Sequence, residues 1–352
     1  MSSLLDALNE LTIPGDLYTV VDADARKIRC LACAHRCLLK DGRRGICQVR
    51  YNAGGVLRVP HGYVSALQLD PTEKKPFFHL LPGSLALSFG MLGCDLRCAF
   101  CQNWDISQFG RDNAAGREPL IISADQLVQL ARQRRADVVA STYNEPLITT
   151  EWAVDVFKRA KAAGMRTAYV SNGNATPEVL DYLRPHLDAY KIDLKSMRDA
   201  PYRRLGTVLK HVLDTITRAH QMGLWVEVVT LIVPGFNDST EELWDAARFL
   251  TGISPDIPWH VTAFHPDYQM TDPPPTPVKT LLRAADIGLE AGLRYVYAGN
   301  IPGAVGNWED TRCPTCRTTL VRRRGFTVQE NRLAKTGGAC PTCGTVIAGR
   351  WV

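Results

Sequence analysis

Between residues 85 and 300 two kinds of segment alternate along the chain. Short apolar runs rich in β-branched residues predict strands at 85–90 (LALSFG), 137–141 (DVVAS), 166–171 (RTAYVS), 188–193 (DAYKID), 225–230 (WVEVVT), 258–264 (PWHVTAF) and 294–298 (RYVYA). Between them, amphipathic stretches predict helices over 123–135, 148–163, 177–185, 207–222, 239–251 and 278–291. Strand followed by helix, six times over, predicts an α/β fold of parallel βαβ units, either a doubly wound sheet or a full or partial barrel. No Gly-x-Gly-x-x-Gly follows the first strand, which argues against a dinucleotide-binding sheet.

The flanks break this pattern. Residues 1–60 end in a cysteine-bearing unit turned at Gly42, Gly45, Gly54 and Gly55; 61–84 reads as a lead-in, 85–300 as the core, and 301–352 as a separate C-terminal unit. At roughly 150 residues per domain, 352 residues are enough for a large core. Apolar residues at 45% and charged residues at 22% describe an ordinary soluble protein. Met1 to Leu17 carries Asp6, Glu10 and Asp16 and no apolar core, so no signal peptide is expected. The most apolar stretch, Trp225 to Val233, is interrupted by Glu227 and falls short of the roughly 18 residues of a membrane span. A cytoplasmic protein without a membrane partner is the expectation. Charge is uneven: residues 311–352 carry a net +7 within a chain of +5.

Eleven cysteines in tight groups point to metal rather than to disulfides. They form three sets: Cys30, Cys33, Cys37 and Cys47; Cys94, Cys98 and Cys101; Cys313, Cys316, Cys340 and Cys343. The central set follows a predicted strand. Three thiolates cannot close a tetrahedral zinc site or ligate every iron of a cubane cluster, so one coordination position stays open. The last set, two Cys-x-x-Cys turns around an alternating 318–329 segment, has the pattern of a zinc ribbon. Arg322, Arg323 and Arg324 add positive charge there, but aromatic residues are few (Phe326, Trp351), so nucleic acid is not the expected partner. The first set suits either zinc or an auxiliary iron–sulfur cluster. His35, lying between those ligands, is expected to face outward or to hydrogen-bond a thiolate.

Cys94-x-x-x-Cys98-x-Phe100-Cys101, at the end of a first barrel strand, resembles the signature of the radical S-adenosylmethionine (SAM) superfamily. The resemblance implies a partial (β/α)6 TIM-like barrel, with the N-terminal cysteine-rich segment and the zinc-ribbon-like unit appended. It also implies a [4Fe-4S] cluster on Cys94, Cys98 and Cys101, whose unique iron is chelated by SAM, and an electron donor of flavodoxin or ferredoxin type. Reductive cleavage of SAM would then yield a 5′-deoxyadenosyl radical that abstracts hydrogen from a substrate. Polar residues at successive predicted strand ends match this family's cofactor pocket: Asn144 and Glu145, Asn172, Asp193 and Lys195, and His265, beside Phe100 in the cysteine loop. The substrate is expected near Asn300 and Tyr268.

Within the superfamily, the chain resembles the branch related to glycyl-radical-enzyme activases. The segments Gly45 to Asn52, Phe264 to Met270 and Tyr295 to Gly303, with a ribbon ending at Trp351, resemble the radical SAM member of the AmmeMemoRadiSam system. That resemblance implies a Memo-like and an Ammecr-like protein as partners. Two alternatives stand beside it: a glycyl-radical activase of the pyruvate formate-lyase type, and a non-catalytic iron–sulfur sensor that binds nucleic acid. The stretch after Cys101 carries no further cysteine, unlike activases that place extra clusters there.

Overall fold

A computed structural model describes residues 4–351. All seven predicted core strands form, and they lie side by side in one sheet. We number the sheet strands β1 (Ala66–Pro71), β2 (Leu85–Gly90), β3 (Val138–Ser141), β4 (Arg166–Ser171), β5 (Ala189–Asp193), β6 (Trp225–Ile232), β7 (Trp259–Ala263) and β8 (Val296–Gly299). Their spatial order is their chain order, and β2 to β8 are parallel. Registers such as Val139↔Leu87 and Ile192↔Val228 keep equivalent residues level around the sheet. Because both faces are covered, β3 is buried at every position, as parallel strands require.

The segment expected only as a lead-in has a structural task. Its β1 pairs antiparallel with β2, from Ala66↔Gly90 to Pro71↔Leu85, and forms one edge of the sheet. The other edge is β8, so the barrel is partial and open between β1 and β8.

Six helices cover the outer face: α1 (Ala124–Gln133), α2 (Thr150–Ala162), α3 (Pro177–Leu183), α4 (Leu209–Gln221), α5 (Thr240–Ile253) and α6 (Val278–Glu290). Local chemistry starts them. Ser123 and Gln126 form a reciprocal capping box on α1; Thr176 caps α3 ahead of Pro177, and Ser239 caps α5. A further short helix, Asp199–Leu205, precedes α4 and was not apparent in the pattern, being seven residues or about two turns long. Trp152, Phe157, Phe89 and Tyr169 pack the core between α2 and the sheet.

The N-terminal unit docks on the top of this barrel. Three short strands, Thr12–Pro14, Val56–Pro60 and Tyr51–Ala53, form one sheet, and Tyr18–Asp22, Lys27–Cys30 and Leu38–Leu39 another. Arg50 reaches Glu151 of α2 through two hydrogen bonds of 2.6 and 2.8 Å, with both side chains buried. At the opposite end, β9 (Thr311–Arg312), β10 (Thr319–Arg324) and β11 (Thr327–Asn331) make the C-terminal unit's sheet. The alternating 318–329 segment forms a hairpin that turns at Gly325, whose φ is +59°. This unit closes the barrel floor: Phe78, Tyr295 and Tyr297 share a core with Leu320, Val321 and Trp351.

Candidate active site

The cysteine loop is held at the top of the barrel by contacts that leave little freedom. Gly90 ends β2 where a Cβ would stand 2.6 Å from the Thr142 carbonyl oxygen, so only glycine lets the strand run under the next loop. Asn144 then clamps the following turn: its Oδ1 accepts from Met91 N (3.1 Å) and its Nδ2 donates to Gly93 O (3.1 Å). Arg111 donates to the carbonyls of Leu96 and Cys94, and Gln269 and Met270 donate backbone N–H groups to Ala99 O.

The loop directs Cys94, Cys98 and Cys101 into one cavity of about 390 Å³. Leu96 N–H points at Cys94 Sγ (3.4 Å), and Ser107 Oγ lies 3.2 Å from Cys101 Sγ. Burial pushes the Cys98 thiol up to about 12 and raises Cys94 and Cys101 as well. Buried sulfurs of this kind become thiolates when a metal cation compensates the charge. Three convergent sulfurs, an N–H donor beside one and a hydroxyl beside another, and open volume next to them fit a cluster with one free iron.

Most of the polar residues picked from strand ends line the same cavity. Asn144, Glu145, Asn172, Asp193, Lys195 and Phe100 all do. Glu145 accepts from Leu147 N, Ser171 Oγ and Asn172 N at 2.7–3.0 Å. Burial, then the charge of Asp95, still raises its carboxyl to about 8. Asp193 accepts from Lys191 and, at 3.0 Å, from Lys195. Burial would raise the Asp193 carboxyl, but the two lysines overcome it and hold it at about 2. Phe100 meets Phe236 edge-on, with ring centres 5.7 Å apart.

His265 departs from the expectation. It lies exposed outside the cavity, its Nε2 2.9 Å from Gln102 Nε2. The pleat of β7 explains this, because His260 and Thr262 share the inward face and Phe264 beyond the strand is taken into the core. Tyr268 also misses the lining: its ring stacks on Trp104 and its hydroxyl donates to Asp112, whereas Asn300 does line the cavity.

Three further residues were not singled out from the sequence. Asp95 is fully buried and accepts from Asn172 Nδ2 (2.7 Å) and Asn174 Nδ2 (2.8 Å), with His35 Nδ1 at 3.7 Å. Burial alone would raise its carboxyl; His35 and the two amides outweigh that and hold it below the usual range. Lys191 lines the cavity two residues before Asp193, on the same strand face, and a lysine inside an apolar run was the available signal. His260 closes the lower end, its Nε2 2.7 Å from Glu227 Oε2.

A family model for the radical SAM superfamily matches residues 90–250. Chain-length similarity comes from the uncharacterized protein MJ0808 of Methanocaldococcus jannaschii, 38% identical over 92% of this chain and 96% of that one. Residues 90–250 are a radical SAM domain. A pyruvate formate-lyase-activating enzyme of Clostridium pasteurianum is 28% identical over 46% of this chain and 67% of its own length. Among solved structures, a radical SAM methyltransferase from Sphaerobacter thermophilus shares the fold, with a TM-score of 0.50 at 16% identity, over 85% of this chain and 80% of that one. The superfamily implies a [4Fe-4S] cluster and SAM, and Cys94, Cys98 and Cys101, which converge on one cavity, are the residues that would hold the cluster.

The two outer cysteine sets differ in geometry. Cys313 Sγ lies 3.5 Å from Cys343 Sγ, Cys316 Sγ lies 3.6 Å from Cys340 Sγ, and all four sulfurs fall within 4.8 Å of one another. Zn–S bonds of about 2.3 Å place tetrahedral sulfurs about 3.8 Å apart, so the C-terminal set is compatible with a zinc ribbon. Cys30, Cys33 and Cys47 are buried and Cys37 is half-buried, and these four do not form a group within that 4.8 Å span. His35 makes the expected contact with a sulfur, its Nδ1 3.5 Å from Cys33 Sγ, while its Nε2 bonds Gly206 O at 2.6 Å. Among the described residues, no helix is long and apolar enough to cross a membrane.

Proposed function

We propose that this radical SAM enzyme cleaves SAM at a cluster held by Cys94, Cys98 and Cys101 and abstracts hydrogen from a substrate that enters between β1 and β8. The carrying observation is the convergence of three cysteines and a ring of strand-end polar groups on one cavity. A [4Fe-4S] cluster held by these cysteines would supply the electron that breaks the sulfonium bond. The chain's own residues do the rest. Glu145, ionised, receives the ammonium of SAM, and Asn172 with Lys195 holds its carboxylate or ribose. Phe100 and Phe236 shield the site, since an alkyl radical survives only where water and stray hydrogen donors are kept out.

The same reading makes the chain the radical SAM member of the AmmeMemoRadiSam system. A flavodoxin or ferredoxin would be its electron donor and Memo-like and Ammecr-like proteins its partners. Zinc is proposed for the C-terminal set. The test is anaerobic reconstitution with iron and sulfide, reduction, addition of SAM, and quantification of 5′-deoxyadenosine. Wild type should form it and Cys98→Ala should not; equal amounts from both would overturn the proposal.

A second reading is favoured by the similarity to the Clostridium pasteurianum activase. In it, the hydrogen comes from a backbone glycine of a glycyl-radical enzyme. Mixing the reduced protein and SAM with such an enzyme and recording the glycyl radical by electron paramagnetic resonance decides between the two.

A further inference from the structure

The three cysteine sets can be compared within one molecule. The C-terminal sulfurs close to within 4.8 Å of one another, the span of a single tetrahedral ion. Neither Cys94, Cys98 and Cys101 nor the N-terminal four close to that span among the described residues. The N-terminal sulfurs nevertheless share one centre. A Cβ on Gly45 would stand 3.6 Å from Cys37 Sγ and 3.7 Å from Cys47 Sγ, so glycine leaves that space between two sulfurs empty. Cys30 joins Cys37 through a backbone hydrogen bond of 3.0 Å, and Arg36, the neighbour of Cys37, donates its N–H to Cys33 O at 3.0 Å. Arg36 and Gln48 adopt left-handed backbone (φ +45° and +68°) beside Cys37 and Cys47 to turn the chain around this centre. Ile46 N–H points at Cys37 Sγ at 3.5 Å, the kind of donor that tunes cluster sulfurs.

This set is also packed directly on the radical cysteine loop. A Cβ on Gly93, the neighbour of Cys94, would stand 2.7 Å from Cys47 O. One guanidinium, that of Arg111, bonds both Ile46 O (2.5 Å) and Cys94 O (2.7 Å). On the other side His35 stands between Cys33 Sγ and Asp95.

We infer that Cys30, Cys33, Cys37 and Cys47 hold a second iron–sulfur cluster rather than zinc, and that this cluster relays electrons to the first. Four thiolates bound to four different irons stand farther apart than four thiolates on one zinc ion, and the N-terminal four do not form a group within the 4.8 Å that the C-terminal four share. In the relay, a one-electron donor of the flavodoxin or ferredoxin class is oxidised as the N-terminal cluster is reduced. That cluster passes the electron to the one on Cys94, Cys98 and Cys101 and returns to its oxidised state; no bond or proton changes hands. The relay rests on the radical chemistry proposed above, whereas the cluster assignment does not.

The test is a variant with Cys94, Cys98 and Cys101 all replaced by alanine, reconstituted anaerobically with iron and sulfide in the presence of zinc. It should keep half of the wild-type iron and sulfide and give a reduced-cluster paramagnetic signal that SAM leaves unchanged. A folded variant with zinc in place of all iron would overturn the assignment. Should the triple variant not fold, Cys47→Ser in the otherwise native chain should lose half of the iron while a SAM-sensitive signal persists; undiminished iron counts against the inference. In reduced wild type, the two signals should broaden each other. A spectrum equal to the sum of the two single-cluster variants would exclude the relay.

Discussion

Arg323 of the C-terminal hairpin meets Glu73 at 3.5 Å, with both side chains wholly out of solvent. The same guanidinium donates to Phe78 O (2.7 Å) and Thr311 Oγ1 (2.8 Å) and lies over the Phe78 ring. One residue therefore joins the zinc-ribbon-like unit to the barrel floor. Removing one partner of a buried ion pair strands the other charge, at a cost of about 3–5 kcal/mol. Arg323→Ala should lose about that much in urea unfolding. Its neighbour Arg322 is exposed and 3.8 Å from Glu330, and Arg322→Ala should stay within about 0.5 kcal/mol of wild type.

His79 gives the same junction a pH dependence. Its Nδ1–H donates to Ala348 O (2.6 Å), and its Nε2 accepts from Tyr297 Oη (2.5 Å). Burial lowers its pKa to about 4. The unfolded chain takes up a proton below about 6.5 and the folded chain does not. This contribution is therefore complete above that pH and is lost as pH falls toward 4, by about 3 kcal/mol in all. The difference between wild-type and His79→Gln unfolding free energies from pH 7 to 5 should follow that slope; parallel curves would exclude it.

Glu145 should control how SAM affinity depends on pH. Its carboxyl, raised to about 8 by burial and by Asp95, is neutral in acid and cannot pair with an ammonium. SAM binding to the reconstituted protein should strengthen from pH 6 to 8, by at most about tenfold per unit. Glu145→Gln should bind more weakly with a flatter profile, measured by anaerobic equilibrium dialysis. Identical profiles would remove Glu145 from the binding site.

His265 and Lys195 separate a sequence match from a lining residue. Lys195 lines the cavity beside Asp193, whereas His265 faces outward against Gln102. His265→Ala should change SAM affinity by less than about threefold, and Lys195→Ala should weaken it by about tenfold or more, about 1.4 kcal/mol. The reverse order would place His265 in the pocket.

The order of strands and helices could be read from the chain because it is written in local periodicity. Apolar runs such as 166–171 and capped amphipathic stretches such as 123–135 became β4 and α1 with ends shifted by two residues at most. The cysteine loop was legible for a similar reason: Cys94, Cys98 and Cys101 lie within eight positions, so their convergence costs little chain closure. Asn144, Glu145, Asn172 and Asp193 were found by their places at successive strand ends, which parallel pairing sets level.

What only the tertiary structure decided are contacts between residues far apart in the chain. Asp95 became a buried junction because Asn172 and Asn174, from the loop after β4, meet His35 of the N-terminal unit there, and no local pattern records that meeting. His265 turned outward because the pleat of β7 carries it past the rim. Segment 61–84, featureless as a lead-in, became the edge strand and floor because β2 and Arg323 needed partners there. The sequence by itself determined the order of the core strands and helices and the grouping of the cysteines, through short-range periodicity and spacing. The fold determined which polar groups lose water together, and desolvation shared between distant residues is what sets their charge and their role.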